Sequence, residues 1–224
     1  MQKKIIILFL CWIFVCISYF SLKYLGIIKE KTYTNADFGI DTVVSPIDFN
    51  QNGVDDYTDI VNGAILEGKK QPKYHSAYYE GGYPPDAEGV CTDLLWRALK
   101  HAGYDLKSLV DEDIQKHKEE YTRIDVIDSN IDFRRVYNLH VFLERNTESL
   151  TTDSSQIEEF QPGDILVFAN DKHIGIVSNK RNKKGIPYLL HHTGSPINRL
   201  NNLEENVLES YKIIGHYRFQ LKNK

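Results

Sequence analysis

Near the start of the chain, residues 5–22 (IIILFLCWIFVCISYFSL) carry no charge, and Lys3 and Lys4 stand just ahead of them. A helix of a soluble domain shows a polar face at a 3.6-residue period, and this run has none. Its length suits a membrane span, and residues 25–28 extend it to roughly 20 residues, so 5–28 is expected in the bilayer. No small-x-small cleavage site follows, which favours an uncleaved signal anchor over residues 1–30. Cys16 follows Val15 rather than a small residue, so lipoprotein processing is not expected there. Lys23 and Lys29 lie beyond the span, leaving orientation to the N-terminal position. The expected location is the cell membrane, with a single-pass anchor and an extracytoplasmic domain. A cleaved signal peptide would instead leave the domain secreted or periplasmic.

The rest of the 224 residues has globular composition, 42% hydrophobic and 26% charged overall, enough for one domain plus this appendage. The first 30 residues hold Lys3, Lys4, Lys23 and Lys29 against Glu30. Without them the 27 basic and 31 acidic residues fall to 23 and 30, a net charge of −7. A nucleic-acid binder shows a basic balance or stripe, so that class is excluded. Cys11 and Cys16 lie in the apolar run, and Cys91 is alone outside it. An exported lone thiol has no intradomain disulfide partner and is either buried or used.

Residues 31–47 show little periodicity and read as a tether to a domain over 48–224. In 58–69 (TDIVNGAILEGK), Ile60, Val61, Ala64 and Ile65 recur at helical spacing. A Tyr/Gly/Pro loop follows, then CTDLLWRALKHAG, with Leu94, Leu95, Ala98 and Leu99 on one face and Gly103 as C-cap. Residues 106–121 and the RRVYNLHVFLER segment also read as helices, and 147–158 as a polar loop. Short strands are then expected at 164–169, 173–178, 188–192 and 213–219. Helices first and strands afterwards argue for α+β, with helices packed on a small antiparallel sheet.

Cys91 directly follows a loop and opens a helix, where amide N–H groups and the macrodipole lower a thiol pKa. Asp93 in the first turn suits the dipole. In QPGDILVFANDKHIGIVSN, a hairpin places His173 at the start of its second strand, a position from which imidazole can serve as general base. PYLLHHTG puts His191 on the next strand, able to orient His173. His192 is then expected on the opposite face, where its loss is nearly silent.

Residues 48–59 (DFNQNGVDDYTD) match the spacing of a calcium loop. Asp48, Asn50, Asn52, Asp56 and Asp59 supply side-chain oxygens, Val54 its carbonyl, and Gly53 the sharp turn. Asp55 stands at the eighth position, where an aliphatic residue is usual, and the last ligand is aspartate rather than glutamate. An Asx-rich turn is the competing reading. No organic cofactor is expected.

GGYPPDAEGVCTDLLWRALKHAGYDL followed by QPGDILVFANDKHIGIVSN resembles the NlpC-type branch of papain-like cysteine peptidases. More closely, NGVDDYTDI, GGYPP, GVCTD, NIDFRRVYNL, GDI, HIGIVS and GHYR resemble the YijF-like bacterial family, domain of unknown function 1287. The superfamily resemblance implies a papain-like, NlpC-type fold, with Cys91 as nucleophile, His173 as base and His191 in the third polar position. It implies Tyr78 in the substrate cleft. Val90 stands where the pattern has Asp, and Thr92-Asp93 where it has Ser-Gly, so the specificity pocket does not transfer. The 82-residue interval from Cys91 to His173 holds an added segment around 107–150, whose Arg134 and Arg135 are candidates for binding a substrate carboxylate, against a structural salt bridge.

Two function classes follow. The first is an exported thiol hydrolase cleaving an amide or peptide bond, with a peptidoglycan peptide or another envelope amide as partner. The second is a non-catalytic, calcium-stabilised envelope module with Cys91 buried. A variant of the second makes Cys91, His173 and His191 a zinc site, since those ligand types suit that metal.

Overall fold

The computed structural model describes residues 2–24 and 30–222. Contacts divide the chain into two units, 1–31 and 32–224. In the first, α1 (Gln2–Tyr24) contains a 19-residue stretch, Lys4–Leu22, of mean hydropathy 2.6 with none of it buried. At ~1.5 Å per residue it rises about 28 Å, close to the thickness of a hydrocarbon core. It is long and apolar enough to be a membrane anchor or a signal sequence. The expected extension over 25–28 lies outside the described residues.

In the second unit, strand alternation separates two apolar clusters. All four side chains of β4 (Ile165–Phe168) are buried, Ile165 and Val167 in one cluster, Leu166 and Phe168 in the other. β5 (His173–Arg181) repeats the split with Ile174 and Ile176 against Val177. β6 (Pro187–Leu190) repeats it with Leu190 against Leu189. Successive side chains point to opposite faces, so a strand covered on both sides reads as a continuous apolar run. With β3 (Glu148–Ser149), β7 (Glu204–Glu205) and β8 (Ile213–Arg218), the sheet runs β3-β8-β4-β5-β6-β7, every neighbour antiparallel. The α+β expectation is met at this level.

The larger cluster lies under the helices. α2 (Asp56–Lys70) starts two residues before the expected position, at the side-chain cap of Asp55, which accepts from Tyr57 and Thr58 N–H. α3 (Cys91–His101) packs against α2 where a Cβ on Gly63 would come within 2.6 Å of His101 Cβ and 3.0 Å of Ala98. Only glycine allows that approach. α3 ends in a Schellman motif, with Gly103 N–H bonded to Lys100 O and Tyr104 N–H to Leu99 O, and Gly103 at φ +93°.

Several boundaries depart from the sequence expectation. α4 (Leu106–Lys116) stops early. The chain turns back to insert the fully buried Tyr121 ring, whose hydroxyl donates to Asp113 at 2.5 Å. α4 and α5 (Val136–Asn146) place Val110, Ile114, Leu139, Phe142 and Leu143 in the main cluster, so the segment read as an insert is part of the core. The polar loop at 147–158 contributes β3. Residues 32–47, read as tether, are laid on the domain. Tyr33 and Arg181 exchange backbone bonds, and buried Asn35 bonds Gln161 and the Arg181 guanidinium.

Candidate active site

Asp93 anchors the start of α3. It is fully buried, and its carboxylate accepts from Val90 N–H, Trp96 Nε1 and both Nε and Nη2 of Arg134, at 2.7–2.9 Å. Four donors on one carboxylate hold the helix opening, and Cys91 with it. Arg134 is thereby a structural ion pair, also donating to Ala77 O, rather than a substrate ligand. Arg135 is exposed and lies 3.9 Å from Asp132.

Cys91 is 7% exposed. N–H groups of Ile174, Thr92 and Cys91 itself are aimed at its sulfur and favour a thiolate, but burial outweighs them and pushes the thiol up to about 11. The expectation of a lowered pKa is therefore corrected, because desolvation of the buried sulfur outweighs the aligned N–H groups. Ile174 immediately follows His173, so the sulfur stands against the strand that His173 opens. Among the described residues, no hydrogen bond joins Sγ to His173.

His173 faces Phe168 and Tyr211, with ring centroids 5.8 and 6.0 Å away. Burial, with His191 and His192 nearby, pushes its pKa down to about 4. Its Nε2 lies 2.8 Å from His191 Nδ1, and His191 Nε2 lies 3.2 Å from Glu205 Oε2. Glu205 is held below the usual carboxylate range. Burial pushes it up, and the nearby His191 ring and the bond from Asn198 outweigh that. The approach falls short of hydrogen-bond geometry, but the carboxylate's charge favours the proton on His191 Nε2, which makes Nδ1 an acceptor. His173 then carries its proton on Nε2 and keeps the Nδ1 lone pair. Glu205, on a two-residue strand without a pattern, had no sequence signal.

β6 ends at Leu190, so His191 and His192 follow the strand instead of lying on it. His191 is still tied to the sheet through its N–H to Leu203 O, and it reaches His173 as expected. His192 departs from its expected silence. It is 1% exposed and packs edge-on against Tyr74, with centroids 5.1 Å apart. Tyr78 is 58% exposed and bonded to Asn130 and Asp128, and among the described residues it makes no hydrogen bond to Cys91 or His173.

In the 48–59 loop the oxygens are committed to the loop itself. Asp48 accepts from Asn52 and Gly53 N–H, and Asn52 Oδ1 from Val54 N–H. Asn50 and Asn52 amides both donate to Asp59. Asp56 accepts from Phe49 N–H within the loop and from the Tyr104 hydroxyl beyond it. This is the hydrogen-bonding of an Asx-rich turn. Among the described residues, no three His, Cys, Asp or Glu side chains group to hold a metal ion. Zinc on Cys91, His173 and His191 gains no support, since the two imidazoles bond each other.

Two imidazoles, half-buried His173 and buried His192, make stability acid-sensitive. His173 has an ordinary value near 6.5 when unfolded and about 4 when folded, and burial lowers His192 as well. The unfolded chain therefore binds more protons between these limits. Stability is complete above about pH 6.5 and is lost as pH falls toward 4, by roughly 3 kcal/mol for His173 alone. Urea denaturation at pH 7.5, 6, 5 and 4 checks this. A stability flat across that range would contradict neutral imidazoles at these two positions.

These features define an α+β domain in which a buried helix-start cysteine stands against a strand opened by a histidine relay. The chain belongs to the family described as domain of unknown function DUF1287, which matches residues 61–219. It is 36% identical over 176 residues to the Uncharacterized protein YijF of Escherichia coli (strain K12), covering 72% of this chain and 83% of that protein. No solved structure matches it at a significant level.

Proposed function

We propose that the protein is an extracytoplasmic thiol hydrolase of papain-like, NlpC-type fold, held at the membrane by α1, that cleaves an amide bond in envelope peptide. The observation that carries this reading is the relay Glu205–His191–His173, which leaves an imidazole lone pair on the strand against which Cys91 rests.

Cys91 Sγ attacks the amide carbonyl carbon while His173 Nδ1 takes the thiol proton. The C–N bond breaks, and the same proton passes to the departing amine, leaving a thioester. Water, deprotonated by His173, then hydrolyses the thioester and the thiol is restored. Because thiol and imidazole are both neutral at rest, proton transfer accompanies attack instead of preceding it. His191 and Glu205 position His173 and stabilise its charged form.

The test uses the full chain in uncharged detergent, incubated with cell-wall peptides and followed by mass spectrometry. New amine termini and a thioester adduct on Cys91 are expected, and both should vanish in Cys91→Ser. Intact peptides over pH 5–10 with a folded protein, or equal cleavage by Cys91→Ser, would sink the proposal. No feature of the 48–59 loop favours the non-catalytic calcium module over it.

A further inference from the structure

A pocket of about 390 Å³ opens between β1 (Lys73–Tyr74) and the segment after β6, with Lys73, Tyr74, His192, Ser195 and Arg199 among its walls. Three of these are basic side chains, and among the described residues no carboxylate lines it. The Arg199 side chain is exposed and makes no hydrogen bond or ion pair among the described residues. Lys73 reaches Glu88 only through a longer-range charge interaction.

His192 is the second, independent observation. Both of its ring nitrogens are buried and lack a hydrogen-bond partner. The Pro72 carbonyl influences the ring without meeting hydrogen-bond geometry. Buried polar atoms are almost always satisfied by protein or by something bound, so an orphaned imidazole at a pocket wall points to an absent partner. Tyr74 covers it and is itself 42% exposed, seated on Gly194, where a Cβ would come within 3.0 Å of the ring.

Tyr74, on the pocket wall, lies within electrostatic reach of the start of α3. Burial raises the Tyr74 hydroxyl pKa, and the charges of Cys91 and Asp93 add to it.

We propose that this pocket is an oxyanion subsite that takes the carboxylate of a peptide substrate. Arg199 and Lys73 supply the charge, and Ser195, Tyr74 and His192 supply the polar floor. The inference rests on the amide-hydrolase reading for its choice of peptide, since the same chemistry would also accept a phosphate.

Isothermal titration of the full chain in uncharged detergent separates these cases. The probes are N-acetyl-alanyl-alanine with a free carboxylate, its C-terminal amide, and inorganic phosphate. The free carboxylate is expected to bind and the amide to bind at least tenfold more weakly. Arg199→Gln and Lys73→Gln should each weaken the carboxylate by fivefold or more, and His192→Phe, which keeps the ring volume, should weaken it too. Circular dichroism confirms that the variants fold. Cys91→Ser should bind as the parent does, so a failure of turnover and a failure of this subsite are read separately. Equal binding of acid and amide, or an unchanged affinity in Arg199→Gln, overturns the subsite. Binding of phosphate without binding of the peptide overturns the peptide assignment.

Discussion

His173→Ala is expected to reduce amide hydrolysis roughly 10³-fold while the domain stays folded, the range set by loss of a general base. The imidazole packs on Phe168 and Tyr211 but is only half-buried, so its removal leaves the sheet paired. Glu205→Gln provides the companion measurement, because an amide oxygen and NH₂ no longer demand a proton on His191 Nε2. The relay then loses its preferred tautomer, and turnover should fall by about tenfold to a hundredfold, as for a lost outer partner. The acid limb of its pH–rate profile should move down, since the imidazolium of His173 loses a stabilising carboxylate. A purely structural Glu205 would lower activity without moving that limb. If His173→Ala retained more than a tenth of parent activity, another group would have to be the base.

Arg134→Met should destabilise the domain by about 3–5 kcal/mol, the usual consequence of leaving a buried carboxylate without its partner. Asp93 is fully buried and depends on Arg134 for two of its four donors. Loss of the pair also frees the opening turn of α3, so Cys91 should become more accessible to alkylation at the same pH. Adding Asp93→Asn to Arg134→Met should recover part of the loss, because the stranded charge is then removed. Urea denaturation of the two variants checks both statements. A midpoint unchanged in Arg134→Met would mean that the pair contributes nothing and would return Arg134 to the candidates for substrate binding.

Much of the architecture was legible from periodicity. The apolar faces of α2 and α3 and the hairpin leading to His173 follow from spacings of 3.6 and 2. Boundaries were less legible where a side chain, not a pattern, ends an element. α4 stops because Tyr121 must fold back onto Asp113, and β6 stops two residues short because its ladder ends at Leu190. His191 nevertheless reached His173, since the chain continues alongside the sheet through Leu203.

What the sequence determined by itself is the apolar N-terminal helix, the helix-then-strand order, and the placing of Cys91 at a helix start and His173 at a strand start. Each is written in local spacing. Tertiary structure decided the rest: the partner of Arg134, 41 residues away on Asp93; the carboxylate of Glu205 behind His191; and the protonation of Cys91. A helix start alone lowers a thiol pKa, and burial among residues distant in the chain reverses it, because desolvating a charge outweighs a few aligned N–H groups. Partner choice and solvent exclusion depend on which surfaces pack together, and that information resides in no single segment.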